Sequence, residues 1–378
     1  MPIYMDRHDI RGVTAEQVAA IHQQDLKIEH KYGCRALTYW FDEKRGTAFC
    51  LIEAPDKDAV VKMHGDAHGQ VPNRIIEVEN RHVEIFLGRI QDPETNLLPA
   101  PSGYPVFEDP AFRIIMAVQI KNAARITAAM GLEKALKKFK ELQTLAHQSI
   151  RRYNGRVTEP AGNRIVASFT SPVEALNCTA GITDEISVSN HRSADQQLQV
   201  SMGLAAGEPV TDSNSLFGET IQLAGRLCLA DGETDVQVNV SPGVHDLYIK
   251  SQSEQISGDK NLKLLKSEEE TFLNSLMDVI DSNWNSETFN VAELGRQMGM
   301  SKSQLFRKIK FLTGFPPGDF IRNVRLNEAV KLIEQQSGNI AQIAYAAGFG
   351  NPSWFSRCFR EHTGVTPSEY VKALTKSS

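Results

Sequence analysis

NIAQIAYAAGFGNPSWFSRCFREHTGVTPSEYV, residues 339–371, is the stretch that decides how the chain reads. Ile340, Ile343, Ala344 and Ala347 place an apolar stripe on one short helix by their i, i+3, i+4, i+7 spacing. Gly348 stops that helix, because a residue just past a helix end often needs a left-handed backbone that glycine adopts cheaply. Asn351 then caps a second helix, with Pro352 at the first helical position, where its missing N–H costs nothing. The second helix buries Phe355 and Phe359 and leaves Ser353, Trp354, Arg357 and Arg360 on its free face. Gly364 ends it, and Thr366-Pro367 starts another. Two short helices about a tight glycine turn, the second carrying arginines outside, make a helix-turn-helix.

The same grammar occurs once upstream, in FNVAELGRQMGMSKSQLFRKIKFLTGFPP, residues 289–317. A helix starts at Val291, turns at Gly299, and gives way to a second helix capped by Ser301. Leu305, Ile309 and Leu312 form its buried stripe, whereas Lys302, Ser303, Gln304, Arg307, Lys308 and Lys310 lie off it. Gly314 and Pro316-Pro317 close it. Between the two units, Phe320, Ile321, Val324, Leu326, Ala329, Leu332 and Ile333 outline one longer amphipathic helix. It is expected to hold the two reading helices about 34 Å apart, one turn of duplex.

Residues 270–374 resemble the DNA-binding domain of the AraC/XylS family of bacterial transcription regulators. The tract I-A-x-x-A-G-F-x-x-x-S-W-F-S-R-x-F-R-x-x-x-G-x-T-P-S-E-Y carries the resemblance. It implies base-contacting side chains at Ser303, Gln304, Phe306 and Arg307 in the first reading helix, and at Ser353, Trp354 and Arg357 in the second. Arginine at such a site can pair bidentately with guanine, worth roughly 1–3 kcal/mol of discrimination. Phe306 and Trp354 either touch a thymine methyl or pack inward.

At 378 residues the chain is long enough for two or three domains. Its net charge of −5 hides an uneven distribution. Between 301 and 325 the basic residues are Lys302, Arg307, Lys308, Lys310, Arg322 and Arg325, against Asp319 as the one acid. Such an excess neutralises phosphates and makes binding salt-dependent. The five cysteines (Cys34, Cys50, Cys178, Cys228, Cys358) are odd in number, widely spaced and without a C-x-x-C, so they read as reduced thiols of a cytosolic protein. MPIYMDRHDI has no signal-peptide pattern, and no apolar run approaches the ~20 residues of a membrane span. The expected compartment is the bacterial cytoplasm, with no membrane contact.

Residues 1–90 read as a ferredoxin-like βαββαβ domain. Ile3 to His8 is a strand, and Thr14 caps a helix to about Tyr32. Strands Ala36 to Phe41 and Thr47 to Ile52 flank the turn at Asp42 to Gly46. Asp56 starts a helix through His68, and Ile75 to Val78 begins a last strand. Asp6 and His8 share one strand face by period two. His22 and Asp25 share a helix face at i, i+3, as do His64 and His68 at i, i+4, and Glu53 ends the third strand. Imidazoles beside carboxylates suit a borderline divalent metal, although two histidines four apart also occur on plain solvated helices. The tracts MPIYMD-x-H, G-V-T-A-E, Y-W-F-D-E-x-x-G-x-x-F-C-L-I-E-A-P and H-x-x-A-H-G resemble a small family of ferredoxin-like nickel-binding domains. The candidate ligands are His8, His22, His64 and His68, with Asp6, Asp25, Glu53 and Cys50. Nickel is the metal the resemblance implies; zinc or copper would satisfy the same side chains.

Residues 91–110, rich in proline and polar side chains, read as a linker. Residues 111–260 alternate strands (114–118, 164–169, 198–205, 236–240) with helices (132–153, 172–188, and one within 216–229). The long helix is expected to bury Leu136, Phe139, Leu142, Leu145 and Ile150. N-G-R-V-T-E-P-A-G-N-R-I-V-A-S-F, M-G-L-A-A-G-E-P-V, F-G-E-T-I-Q-L-A-G-R-L and Q-V-N-V-S-P-G-V together resemble a class III nucleotide cyclase domain. That family holds two Mg²⁺ ions with two aspartates, a need set by the triphosphate charge. Here Gln119 and Asn163 stand at those positions, and an amide oxygen is a poorer Mg²⁺ ligand than a carboxylate. Gln222 replaces the nucleotide-orienting asparagine, whereas Arg226 remains. These departures from the family's pattern imply a pseudo-cyclase: no catalytic magnesium and no enzyme, but a dimer module with or without a small-molecule or nucleotide ligand, the alternative being a ferredoxin-like spacer with no site.

The expected whole is multidomain α+β, ending in an all-α double helix-turn-helix at 268–376. The expected function is sequence-specific transcription regulation on double-stranded DNA, with a metal or small ligand sensed upstream. A homodimer is expected, with RNA polymerase as a further partner. A nucleotide cyclase and a metal buffer are the alternatives; the two amides count against the first, and two complete reading helices against the second.

Overall fold

The computed structural model describes residues 1–93, 106, 109–158, 164–191, 197–230, 234–252 and 261–375. The N-terminal unit runs β1 (Ile3–Asp9), α1 (Ala15–Ile28), a 3-10 turn at Glu29–Tyr32, β2 (Arg35–Asp42), β3 (Thr47–Glu53), α2 (Lys57–Ala67), β4 (Arg74–Val78) and α3 (Asn80–Leu87). The strands pair antiparallel in the order β2-β3-β1-β4, a ferredoxin-like sheet. Thr14 and Gln17 form a capping box on α1, and the Asp56 carboxylate accepts the Ala59 amide at the start of α2.

Alternation along these strands makes two layers. Tyr4, Tyr39, Phe41, Ala48, Cys50 and Ile52 pack beneath α1 and α2, with Val18, Val60 and Met63. Met5, Trp40, Phe49, Leu51 and Ile76 face the other way, into a core shared with Ile115, Ala205, Val210 and Phe217. The sheet thus presents its polar cluster to the helices and its opposite face to the middle of the chain. Helix α3 was not anticipated from the sequence. It buries Val83, Phe86 and Leu87, and the Phe86 ring lies 5.4 Å from that of Phe217.

The middle unit comprises β5 (Arg113–Ile120), α4 (Ala123–Met130), α5 (Leu132–Arg152), β6 (Arg156–Val157), β7 (Arg164–Phe169), α6 (Pro172–His191), β8 (Val200–Gly207), α7 (Gly218–Leu227), β9 (Val236–Val240), α8 (Pro242–Gln252) and β10 (Leu262–Leu264). Its sheet is ordered β10-β9-β8-β5-β7-β6, with β5 antiparallel to both neighbours and β8, β9 and β10 mutually parallel. Helices α4 and α8 and strands β6 and β10 were not anticipated from the sequence; the two strands have only two and three residues. One expected core residue is also wrong. Leu136 is 52% exposed, because α5 turns Ala135, Leu142, Ala146 and Ile150 inward instead. Asn163 lies outside the described residues.

The C-terminal part is all helical: α9 (Ser267–Asn283), α10 (Val291–Gln297), α11 (Lys302–Thr313), α12 (Pro317–Glu334), α13 (Ile340–Ala346), α14 (Pro352–Thr363) and α15 (Pro367–Thr375). Ser301 and Asn351 cap their helices as the sequence predicts, and Asn339 is a further cap. Ser301 with Gln304, and Asn339 with Gln342, form capping boxes; the Asn351 side chain accepts from the Ser353 and Trp354 amides. Gly348 adopts φ +76°, and a Cβ there would sit 2.6 Å from the Trp284 carbonyl, so both backbone and space require glycine. Helix α12 passes from one core, with Leu305, Ile309, Phe320 and Ile321, into a second, with Leu326, Ile333, Ile343, Phe355 and Phe359. Among the described residues no helix is long and apolar enough to cross a membrane.

Candidate metal centre and nucleic-acid interface

Four elements converge beneath the N-terminal sheet. β1 supplies Asp6 and His8, β3 supplies Cys50, α1 supplies His22 and Asp25, and α2 with its C-cap supplies His64 and His68. His64 is central: its Nε2 lies 2.9 Å from Asp6 Oδ2 and its Nδ1 lies 3.1 Å from Asp25 Oδ1. His68 Nε2 is 3.1 Å from the same Asp25 oxygen and 3.0 Å from His64 Nδ1. His8 Nε2 is 3.4 Å from Asp6 Oδ1, which also accepts the Cys50 amide at 2.9 Å. Donor atoms of Asp6, His8, Cys50 and His64 fall within 4.8 Å of one another, and so do those of Asp25, His64 and His68.

Two expected ligands stand apart. His22 lines the same small cavity but pairs with Asp92 Oδ2 at 3.3 Å and stacks 5.0 Å from the Tyr39 ring. Sequence reasoning missed Asp92 because it falls in the stretch read as linker, where no periodicity points at it. Glu53 is a correction: it lies toward the Met1 amino group (3.7 Å) and Arg35 (3.8 Å). Alternation along β3 sends Cys50 to the helix layer, and position 53 therefore to the opposite face.

Burial pushes Asp6 up, but the His8 and His64 imidazoles outweigh it and hold its carboxyl far below the usual range. Burial pushes His64 down, and the hydrogen bonds to Asp25 and Asp6 reverse this, raising it to about 10. The Cys50 thiol is pushed well up, first by burial and then by Asp6 and Asp25. In this arrangement a proton on His64 compensates two buried carboxylates.

A divalent cation fits the same residues. His22 Nδ1 is buried without a hydrogen-bond partner, and His8 Nε2 has only the Asp6 carboxylate near it, at 3.4 Å, although buried polar atoms are normally well satisfied. The small cavity they line holds ≈ 20 Å³, room for one small species. Imidazoles and carboxylates together are donors for nickel, zinc or copper.

At the other end of the chain, the second helix of each helix-turn-helix unit turns a polar face outward. Ser303, Arg307, Ser353 and Arg357 are exposed. Phe306 and Trp354 are 46% and 47% exposed, so neither packs inward. Arg357 lies over the Trp354 ring, 5.6 Å to the centroid, and its Nε donates to Glu361 at 3.2 Å. Gln304 has a second task, since its side-chain oxygen accepts from the Ser301 amide and hydroxyl.

In the middle unit, Gln119, Gln222 and Arg226 line one wall of a cleft of ≈ 1520 Å³ whose other wall is α12, with Arg322 and Asn327. Gln119 Oε1 accepts from Arg164 at 3.5 Å. Arg226 is not free for a ligand: it donates to the side chains of Asn274, Asp278 and Asp281 on α9.

Tandem helix-turn-helix units with basic free faces define the class of protein, one built to contact nucleic acid. Residues 294–373 match the family model described as a helix-turn-helix domain, and residues 4–78 match that of the nickel responsive protein SCO4226-like. "Probable transcription factor PqrA" of Proteus vulgaris is 31% identical over 85 residues, 22% of this chain and 70% of that one. The chain belongs to the AraC-type helix-turn-helix family of transcription regulators. It spans 8%, 45%, 41% and 29% of the length of four further curated relatives. The crystal structure of SCO4226 from Streptomyces coelicolor A3(2) is 35% identical, covering 20% of this chain and 94% of that one at a TM-score of 0.20. A bacterial light-regulated adenylyl cyclase aligns with 65% of this chain and 86% of its own at 14% identity and a TM-score of 0.32. Likeness of that degree carries no chemistry over to the middle unit.

Proposed function

We propose that this protein is a sequence-specific transcription regulator whose DNA affinity responds to a divalent transition metal held in the N-terminal unit. The observation that carries the DNA half is the exposure of Ser303, Arg307, Ser353 and Arg357 on two capped helices whose opposite faces are fully packed. Those residues, with Gln304, Phe306 and Trp354, read base edges in adjacent turns of the major groove; Lys302, Lys308 and Lys310 contact phosphate. The metal half rests on the convergence of Asp6, His8, His64, Asp25 and His68, with Cys50 alongside. Nickel is the favoured ion because residues 4–78 match a nickel-responsive family.

The functional units are 1–90, 111–260 and 268–376, joined through 91–110. The working form is a homodimer that addresses RNA polymerase, and the middle unit serves assembly rather than cyclisation. The cleft beside Gln119 and Gln222 is where a small molecule or nucleotide would lie. Metal changes DNA affinity only as far as it prefers one of two conformations.

The test is to select duplexes from a randomised pool with the full chain, then measure affinity for the winner with and without Ni²⁺. Enrichment of a defined sequence and a metal-dependent affinity support the proposal. No enrichment sinks the first half; an affinity indifferent to metal sinks the second.

A further inference from the structure

One arginine adds a polar clasp to the joint between the middle unit and α9, where apolar residues of both, Leu227 and Leu273 among them, share one core. Arg226, in the last turn of α7, is 6% exposed. Its guanidinium donates to Asp278 Oδ1 at 2.5 Å, Asp281 Oδ2 at 3.3 Å, and both the side-chain and backbone oxygens of Asn274 at 3.1 and 3.3 Å. Positions 274, 278 and 281 recur at i, i+4, i+7, so one face of α9 is dedicated to this contact. The two carboxylates sit at the rim, with side chains 65% and 50% exposed. An arginine with its planar fork shared among three side chains fixes angle as well as distance, which a lysine would not do.

A second joint lies at the far end of the same domain. Helix α14 packs on α4, where a Cβ at Gly364 would stand 3.7 Å from that of Ala128. The middle unit therefore touches both helix-turn-helix units. Helix α12 links the two units and contributes to both of their cores, with Trp284 packed against each.

We propose that the middle unit is a splint that sets the spacing and angle of the two reading helices, with Arg226 as the positioning residue. The inference rests on the DNA-binding reading and adds to it that the middle unit, together with α12, holds the register. Arg226 touches no DNA; it acts by holding α9, and through α9 the first unit, against a body that also holds the second.

The test uses the full chain carrying Asp278→Asn and Asp281→Asn, exposed positions whose change leaves the Arg226 side chain and the cores in place. Spin labels at Glu133→Cys and Ala292→Cys report the distance between α5 and the first unit; the native cysteines are buried. Removing both charge-assisted partners is expected to raise the population outside the main distance peak about tenfold. In selection from a randomised duplex pool, the unaltered chain should enrich two sequence blocks at one separation. The double variant should enrich the same blocks at scattered separations, with an unchanged melting temperature. An unbroadened distance distribution, or one conserved separation in the variant, overturns the proposal. Should neither protein enrich any sequence, the DNA-binding reading fails and the positioning role falls with it, while the label distances still score the clasp itself.

Discussion

His64 stands between Asp6 and Asp25, with one ring nitrogen 2.9 Å from the first carboxylate and the other 3.1 Å from the second. All three side chains are essentially buried. An imidazole with a carboxylate at each nitrogen is held as the cation, and that charge is what allows two acids to lie in a dry layer. A divalent ion can take over the same duty with more charge and more bonds.

The first prediction concerns stability without metal. His64→Ala leaves Asp6 and Asp25 buried with less compensation, and removing one partner of a buried pair costs about 3–5 kcal/mol. Urea unfolding followed by far-UV circular dichroism should show that loss. A change below 1 kcal/mol would mean that water already solvates the pair.

Metal affinity should divide the expected ligands into two groups. His8→Ala, His64→Ala and His68→Ala should each weaken Ni²⁺ binding at least tenfold by calorimetry, whereas Glu53→Gln should leave it unchanged. Saturating metal at 100 times Kd should add about 2.7 kcal/mol to stability, and a chelator should remove it. Equal losses at position 53 would place the ion elsewhere.

DNA contacts should separate by kind. Arg307→Ala or Arg357→Ala should cost about 1–3 kcal/mol and relax preference at one base pair. Lys308→Ala should weaken all sequences alike and flatten the salt dependence by about one ion. Loss of specificity in the lysine variant, with none in the arginines, would invert the assignment.

The helix-turn-helix geometry itself can be probed through its turns. Asn351→Ala removes the acceptor for the Ser353 and Trp354 amides and should cost about 1 kcal/mol. Gly348→Ala should cost more, since it meets both a left-handed backbone and the Trp284 carbonyl. Thermal melts of the two variants should rank in that order.

Much of this was legible along the chain. The stripe Leu305, Ile309, Leu312, the caps Ser301 and Asn351, and the stops Gly314, Gly348 and Gly364 all express local rules, and local rules survive folding. The ferredoxin-like order was legible for the same reason: strand alternation and helix caps repeat within a few residues. The His64–His68 pair of α2 and its C-cap, and the Asp6–His8 pair on β1, were visible as faces, because period and pitch are properties of sequence.

What those faces meet was decided only in three dimensions. That Asp25 and Asp6 reach the same imidazole, that Glu53 turns away, and that Asp92 pairs with His22 all depend on strand pairing and helix docking between residues far apart in sequence. The same holds for Arg226. Its sequence context resembles a nucleotide site, whereas the folded chain gives its guanidinium to Asp278 and Asp281. A side chain's residue type limits what it can bind; which acceptor it finds is set by whatever the rest of the chain packs against it, because a buried charge must take the partner that packing supplies.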